Sequence, residues 1–246
     1  MSKWALWGIL VSINKLIQIL YDAITLPLQR YSYRMTIRLP FSHFYFRPLF
    51  LCEVYMALGI WEPYVRGCLS LSQGDLFIDV GAHIGYYTIY ACGRVGESGS
   101  VIAIEPDKRN LRVLYKNVEA VKASNVRVVE AAAGFNGSLY LQSRPNPLYN
   151  STTKSKDYHG QEEVKSVSLD TLSEDVTLPE HGKVYVKIDV EGGERDVIRG
   201  GSSFLKRYRP TLIVEAGSLP NLQEALEGLG YSCHRIFRCY CLCSPI

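Results

Sequence analysis

The stretch LFIDVGAHIGYY, residues 76–87, predicts the fold of this chain more strongly than any other segment. It begins as a short apolar run with one acid, Asp79, near the carboxyl end of the run. Gly81 and Gly85 then bracket a turn, and TIYACGRV (88–95) follows as an apolar segment suited to a helix. In open α/β sheets, ligands bind where strands end and helices begin, and glycines there let the backbone approach an adenosine-type ligand closely. The sequence therefore predicts a ligand site at this turn.

A second apolar strand, SVIAIEPD (100–107), ends in Glu105, whose carboxylate can accept both hydrogen bonds of a ribose diol. The ligand is then either NAD or S-adenosylmethionine. A dinucleotide fingerprint has a glycine where His83 stands, and Asp79 would repel a pyrophosphate but suits the cationic end of a methionine moiety. This pattern favours the methyl donor. The alternative is an ordinary βαβ unit whose acids only cap the next helices.

Four stretches resemble, in order and spacing, the FkbM-type family of S-adenosylmethionine-dependent methyltransferases. They are IDVGAHIGYYTI (78–89), IEPD (104–107), VKIDVEGGE (186–194) and RPTLIVE (209–215). The resemblance covers roughly residues 73–217, and KIDVEGGE (187–194) is its most family-specific piece. One departure is His83, which stands where the family usually has Asn. Both side chains form hydrogen bonds, but a histidine also titrates near neutral pH.

The resemblance implies an α/β fold of the class I methyltransferase (Rossmann-like) type. This is a seven-stranded, mostly parallel sheet with one reversed edge strand and helices on both faces. It also implies S-adenosylmethionine as the cofactor. The residues expected to bind it are Asp79, Gly81, His83, Gly85, Glu105, Glu130 and Ala131. We expect residues 73–246 to form this domain and residues 1–72 to form an N-terminal extension, with an amphipathic helix and an aromatic-rich section.

The third strand is predicted over NVRVVEAAAG (125–134), with Glu130 and Ala131 at its tip, where this fold places groups around the adenine. The Glu130 carboxylate would accept a bond from the exocyclic amine, unless it is a solvated acid at a strand end. The polar, turn-rich passage 143–170 follows. Loops of this length in compact domains are usually functional or disordered, so we expect either a substrate-facing flap or a plain surface excursion.

The predicted catalytic residues lie in VYVKIDVEGGE (184–194), which should be the fourth strand and its exit. Methyl transfer is an in-line displacement, and a hydroxyl acceptor must lose its proton as the new bond forms. Asp189 and Glu191 are the candidates for the base or for orienting the acceptor, with Lys187 or His83 assisting. Two acids at a strand exit could also hold a divalent metal, but the spacing shows no third oxygen ligand, so we predict no metal. A buried Lys187–Asp189 ion pair that only stabilises the strand is the alternative.

Composition is that of a compact enzyme: 246 residues, 47% hydrophobic and 21% charged. The net charge of +3 is too small to indicate nucleic acid, and no DNA- or RNA-reading motif is present, so no nucleic-acid partner is expected. Seven cysteines without a secretory cleavage pattern predict free thiols in a reducing, cytoplasmic setting. The sequence does not predict the oligomeric state.

The segment WALWGILVSINKLIQILYDAITLPL (4–28) is interrupted by polar residues and does not match a membrane span. Residues 3–26 instead have the pattern of an amphipathic helix, and residues 1–50 carry six basic residues against one acid, a local excess of +5. Two outcomes are open. The helix either makes peripheral contact with an anionic inner membrane surface or packs on the protein itself or on a second copy.

Taken together, these patterns predict an S-adenosylmethionine-dependent methyltransferase, most simply an O-methyltransferase. The expected acceptor is a small molecule, a sugar or a lipid-linked glycan. Nitrogen stays open as the acceptor atom. Two other readings are a non-catalytic methyltransferase-fold binding protein, against which the intact KIDVEGGE segment argues, and a nucleotide-linked oxidoreductase, which the missing middle glycine disfavours.

Overall fold

The structure is a computed structural model that describes residues 35–39, 42–142, 151–153, 161–174 and 182–246, together with Ile17, Leu20, Tyr21 and Thr25. The chain forms two compact units, Met1–Trp61 and Glu62–Ile246. Residues 62–72, which the sequence analysis assigned to the N-terminal extension, therefore lie in the same unit as the main sheet.

The larger unit is built on a seven-stranded sheet. Its strands are β3 (Leu76–Val80), β4 (Ser100–Ile104), β5 (Val126–Val129), β10 (Val184–Ile188), β11 (Thr211–Glu215), β12 (Tyr231–Phe237) and β13 (Tyr240–Pro245). Their order is β12-β13-β11-β10-β3-β4-β5, and every pairing among β5, β4, β3, β10 and β11 is parallel. The reversed strand is β13, which pairs antiparallel with both of its neighbours. It lies one position in from the edge, not at the edge as expected from the sequence.

Helices connect these strands, as the alternation of apolar strands and amphipathic segments predicts. They are α2 (Pro63–Cys68), α3 (Tyr86–Val95), α4 (Lys108–Ala120), α5 (Leu169–Glu174), α6 (Glu194–Gly200), α7 (Ser202–Tyr208) and α8 (Leu219–Ala225). Asp107 caps the start of α4, and its side chain accepts a hydrogen bond from the Arg109 N–H. An Asp at this position stabilises a helix start because the first backbone N–H groups have no partner within the helix.

The centre of the sheet is buried on both faces, and for this reason its strands read as continuous apolar runs. All five residues of β3 and all five of β10 are buried. Two polar side chains, Asp79 on β3 and Lys187 on β10, face each other across the parallel pairing at the carboxyl end of the sheet. A buried charge is tolerated only when it is paired, so this register brings a carboxylate to an ammonium.

A second, four-stranded sheet follows β5 and was not predicted. It contains β6 (Ala132–Ala133), β7 (Gly137–Gln142), β8 (Ser151–Thr153) and β9 (Gln161–Val167), in the order β6-β9-β7-β8. The predicted third strand, 125–134, is therefore wrong as one element, because its last residues change to the other sheet. The polar passage 143–170 includes β8, β9 and the start of α5, while its residues 143–150 and 154–160 lie outside the described part of the chain.

The closing hairpin of β12 and β13 is confirmed, but the prediction that all cysteines are free is wrong for two of them. The antiparallel register sets Cys233 directly opposite Cys243, and a disulfide joins them across a Cα–Cα distance of 4.1 Å. Cys52, Cys68, Cys92, Cys239 and Cys241 are free. Spacing alone did not reveal the pair, because the register depends on where the chain turns between the strands.

The smaller unit contains β1 (Ile37–Arg38), which pairs antiparallel with β2 (Tyr45–Phe46), and α1 (Leu51–Ala57). Arg47 and Glu53 form a fully buried ion pair beside α1. Most of the amphipathic segment 3–26 lies outside the described residues. Within it Ile17, Leu20, Tyr21 and Thr25 are helical. No helix among the described residues is long and apolar enough to cross a bilayer.

Candidate active site

A cleft of about 630 Å³, part of it open to solvent, lies at the carboxyl ends of β3, β4 and β10. Six residues that the sequence analysis singled out line it: Gly81, His83, Glu105, Ala131, Asp189 and Glu191. Apolar side chains of Ile104, Pro106, Ala132 and Leu141 line the same cleft, and Thr152 of the second sheet completes one wall. The arrangement has an apolar part suited to an adenine ring and carboxylates suited to hydroxyl and ammonium groups.

Glu105 is held in place by three donors. Its Oε2 accepts the His83 N–H at 2.8 Å, and its Oε1 accepts the Asp107 N–H at 3.0 Å and the Asn110 side-chain amide at 3.1 Å. Burial raises the pKa of Glu105 to about 7, and these hydrogen bonds only partly oppose the shift. A carboxylate has about four lone-pair sites and three are used here, so Glu105 retains acceptor capacity for one ribose hydroxyl.

The turn between β3 and α3 depends on Gly81 and His83. A Cβ at Gly81 would lie 1.8 Å from the Asp189 carbonyl oxygen, so only glycine lets the turn pass the end of β10. His83 has a left-handed backbone with φ of 52°. Among residues other than glycine, Asn and His are enriched in this conformation. A shared backbone requirement therefore accounts for His in place of the usual Asn.

Four other predicted site residues do not line the cleft. Gly85 starts α3 with a φ of 89°, where an added Cβ would lie 2.4 Å from Leu114. Asp79 is buried behind the turn and accepts the Thr88 hydroxyl at 2.7 Å, and burial raises its pKa. Glu130 is exposed and accepts the Tyr115 hydroxyl. Lys187 lies beneath Asp189.

Lys187 and Asp189 form a close ion pair at the exit of β10, with 2.8 Å between Nζ and Oδ2. The Lys187 side chain is only 2% exposed. Burial is the largest single effect and opposes ionisation of both groups, but their mutual attraction, together with the neighbouring acids for Lys187 and the hydrogen bonds to Asp189, outweighs it. The pKa of Asp189 is therefore lowered and that of Lys187 raised. Asp189 is ionised at neutral pH and lines the cleft.

The structure adds four side chains that the sequence analysis did not identify: Glu62, Tyr87, Glu215 and Tyr240. The Tyr240 hydroxyl contacts Asp189 Oδ2, Glu62 Oε2 and Glu215 Oε2 at 3.1, 3.2 and 3.3 Å. The Tyr87 hydroxyl donates to Glu62 Oε2 at 2.8 Å. Of these four residues, Glu215 could have been found from the sequence. It stands at the tip of β11, and neighbouring parallel strands end at the same edge of a sheet.

Among the described residues, one group of three carboxylates could hold a metal ion. The oxygens of Asp189, Glu191 and Glu215 lie within 4.8 Å of one another, so Glu215 supplies the third ligand that spacing did not reveal. Donors from the chain already engage two of these acids. Lys187 and Tyr240 bond to Asp189, and the Cys239 thiol donates to Glu215 at 2.9 Å. Two of the three carboxylates therefore belong to a hydrogen-bond network within the chain.

Comparison with known proteins gives the family. The methyltransferase FkbM domain matches residues 79–236, more than half of the chain. The chain belongs to the FkbM methyltransferase family. Its cofactor is S-adenosylmethionine, and the buried carboxyl group of Glu105 at the end of β4, with acceptor capacity left for a ribose hydroxyl, fits this ligand. The predicted family, fold class and cofactor are confirmed.

Individual relatives are more distant. A probable cobalt-precorrin-6B C(15)-methyltransferase (decarboxylating) from Sulfurisphaera tokodaii is 44% identical over 63 residues, which are 26% of this chain and 33% of that protein. The hexuronic acid methyltransferase AglP of Haloferax volcanii is 26% identical over 149 residues, 60% of this chain and 59% of that protein. The chain thus spans less than two thirds of the length of these relatives.

A solved structure supports the fold. The crystal structure of methyltransferase FkbM from Methylobacillus flagellatus KT superposes with a TM-score of 0.51 at 19% identity. The match covers 88% of this chain and 50% of that one. At this identity the likeness applies to the fold and not to the acceptor.

Proposed function

We propose that this family member transfers the methyl group of S-adenosylmethionine to a hydroxyl oxygen of a small molecule, a sugar or a lipid-linked glycan. The observation that carries the proposal is the ionised Asp189, held by Lys187 at the edge of the cleft that Glu105 lines. The cofactor supplies an electrophilic methyl group. A hydroxyl is a weak nucleophile until its proton is accepted, and Asp189 provides an ionised oxygen for that bond.

Positioning is the main contribution of the chain in this proposal. Glu105 would hold the ribose, the apolar wall would hold the adenine, and Asp189 would orient the acceptor oxygen for in-line attack. Glu191 lines the same cleft and would bond a second acceptor hydroxyl. Lys187 remains an ion-pair partner, because it is buried and bonded to Asp189.

The concentration of acids favours a hydroxyl-bearing acceptor without negative charge. Asp189, Glu191 and Glu215 lie close together, and Lys187 is their one close ammonium among the described residues. The ionised Asp189 would repel a second carboxylate in this partly buried site, so a carboxylate-bearing acceptor would be disfavoured. The relative AglP is named as a hexuronic acid methyltransferase, so its likeness supports a sugar as the acceptor class, while the absence of a carboxylate on that sugar is proposed from the Asp189 charge alone.

The test combines donor binding with product analysis. Calorimetry of the whole chain with S-adenosylmethionine and NAD should show binding of the first only, lost in Glu105→Ala. Methyl-labelled donor is then incubated with methyl glucoside, octyl glucoside and glucuronic acid. We expect a methyl ether on a neutral sugar and a loss of at least 100-fold in Asp189→Asn, with donor binding unchanged. Donor binding with label only on nitrogen compounds, or on none, would contradict the proposal.

We further propose that the protein contacts an anionic membrane surface through residues 3–26. Two features support this. Residues 1–50 carry the excess of +5, and the apolar Leu20 is 55% exposed whereas the polar Thr25 is 7% exposed. If the helix only packed against its own unit, the apolar residue should be the buried one.

A further inference from the structure

The Tyr240 hydroxyl stands at the centre of three carboxyl groups from different parts of the larger unit. Glu62 precedes α2, Asp189 follows β10, and Glu215 ends β11, yet each places an oxygen 3.1–3.3 Å from the Tyr240 hydroxyl. Tyr240 itself is only 2% exposed. Water is therefore largely excluded from the junction, and the groups must satisfy one another.

Counting protons shows that this junction stores at least one. A phenol has a single O–H, so Tyr240 can donate to only one of the three carboxyl groups. Three other donors reach these acids: the Tyr87 hydroxyl bonds to Glu62, the Lys187 ammonium to Asp189 and the Cys239 thiol to Glu215. The carboxyl contacts that Tyr240 cannot satisfy therefore need a proton on one of the acids. Burial and the Asp189 charge raise the pKa of Glu215 to about 9, so Glu215 is the protonated member and shares its proton with Asp189 through a hydrogen bond between the two carboxyl groups.

The backbone of Glu62 has an unfavourable conformation that helix capping does not explain. It precedes Pro63 at the start of α2 with φ of 40° and ψ of 59°, a left-handed conformation that is unfavourable for a residue other than glycine. Its side chain does not cap the helix and instead accepts the Tyr87 and Tyr240 hydroxyls. Backbone strain of this kind typically accompanies functional sites.

We propose that Glu62 is the final acceptor of the proton that the substrate hydroxyl releases, and that Tyr240 conducts this proton from Asp189 to Glu62. This inference rests on the proposed transfer to oxygen. Glu62 receives the proton through Tyr240 and does not contact the acceptor substrate. It is therefore a positioning residue and not a catalytic residue. Nothing in the family match assigns it, since the matched region begins at residue 79.

The step balances in atoms and charge. The acceptor O–H bond breaks as the new O–CH₃ bond forms, and the S–CH₃ bond breaks with its electron pair left on sulfur, which loses its positive charge. The acceptor proton moves to Asp189. Asp189 passes a proton to the Tyr240 oxygen while the original Tyr240 proton moves to Glu62. The positive charge lost at sulfur thus appears as the proton that neutralises the Glu62 carboxylate.

The relative pKa values of Asp189 and Glu62 support proton movement from Asp189 to Glu62. Lys187 keeps the pKa of Asp189 low, so a proton does not rest there. Burial raises the pKa of Glu62 to about 6, against the attraction of Lys187. Glu62 is therefore ionised at neutral pH but holds a proton better than Asp189 does. The titratable and charged groups that face Glu62 are Tyr64, Tyr86, Tyr87, Lys187, Asp189 and Tyr240.

The first measurement needs no acceptor. Infrared or ¹³C NMR titration of glutamate-labelled whole protein should show, besides Glu105 near pH 7, one carboxyl that titrates near pH 6 and disappears in Glu62→Gln. A second carboxyl should stay protonated at pH 7 and disappear in Glu215→Gln. Tyr240→Phe should shift the Glu62 titration, because it removes the shared proton. An unshifted Glu62 titration in Tyr240→Phe would overturn the relay.

The second measurement uses methyl transfer to octyl glucoside. Glu62→Gln and Tyr240→Phe should lower kcat by about 10- to 100-fold at pH 7.5 and leave the Kd of S-adenosylmethionine within twofold. The decline of kcat in wild type below pH 6 should be absent in Glu62→Gln. Tyr185→Phe is the matched control, since it removes another tyrosine hydroxyl bond, to the Ser70 carbonyl, away from the junction. It should retain wild-type kcat.

The outcomes separate the two proposals. If methyl ether forms and Glu62→Gln keeps both the wild-type kcat and its pH dependence, the relay is wrong while O-methylation stands. If no acceptor is methylated on oxygen, the proposed function fails, and the titration of Tyr240→Phe still decides whether the two side chains share a proton.

Discussion

At the scale of single residues, Glu105 combines two requirements that oppose each other. It must be buried to line a cofactor cleft, and it must be ionised to accept a ribose hydroxyl in addition to its three donors from the chain. Burial raises its pKa to about 7, while the backbone N–H groups of His83 and Asp107 and the Asn110 amide favour the charged form. Glu105 therefore titrates near neutral pH, and the affinity of the cleft for its ligand should depend on the ionisation of this one carboxyl group.

Donor affinity should accordingly fall in mild acid. S-adenosylmethionine selects the ionised form of Glu105, so its affinity is full above pH 7 and declines as the carboxylate is protonated below it. Between pH 8 and pH 6 the ionised fraction of a group with this pKa falls about tenfold, and we expect the Kd from calorimetry to rise about tenfold. Glu105→Gln should bind weakly with little pH dependence. His83→Asn should keep the dependence; loss of it in that variant would assign the linkage to the imidazole.

At the scale of elements, the sequence predicts what is encoded locally. The strands β3 and β4 are each an apolar run that ends at a residue visible in the sequence, Gly81 after β3 and Pro106 after β4. The local pattern therefore predicts both the strand and its carboxyl end. The second sheet could not be predicted in this way. The two alanines of β6 continue the apolar run of β5, and their move to another sheet depends on pairing with β9, more than thirty residues later in the chain.

The site residues also differ in whether the local sequence predicts them. Glu105, Asp189 and Glu191 follow directly from strand ends and line the cleft. Glu62 could not be found by this reasoning, because it precedes the first strand of the main sheet and meets Tyr240 from 178 residues away. No periodicity or spacing connects two such residues. Only the closing of the sheet by β13 brings the tyrosine to the carboxyl edge.

The closing hairpin yields a direct chemical prediction. Of the seven cysteines, five are free and two form the Cys233–Cys243 bond, so denatured, unreduced protein should titrate five thiols and reduced protein seven. Closing this short loop should stabilise the fold by about 2–3 kcal/mol, which Cys233→Ser should remove in chemical denaturation. Cys68→Ser, at a free and partly buried thiol, should change stability by less than about 1 kcal/mol. Seven reactive thiols without reductant would contradict the pairing.

At the scale of the whole molecule, the smaller unit concentrates exposed apolar side chains. Ile17, Leu20, Ile37, Leu58 and Ile60 are each more than 40% exposed, and all belong to Met1–Trp61. The same unit holds the basic excess of the chain. Apolar and basic side chains together favour binding to an anionic lipid surface, where the apolar groups enter the interface and the cations pair with headgroups.

Vesicle sedimentation tests this surface on the whole chain. We expect the protein to sediment with phosphatidylglycerol vesicles and much less with phosphatidylcholine, and to be released by salt, because the basic residues supply part of the affinity. Leu20→Glu should weaken sedimentation at least tenfold, since it places a charge within the exposed apolar residues of the helix. Ile246→Glu, at an 85% exposed residue of the larger unit, should leave sedimentation unchanged. Equal loss in both variants, or no sedimentation of wild type, would refute membrane contact and favour packing of the helix against a second copy, which sedimentation velocity would detect.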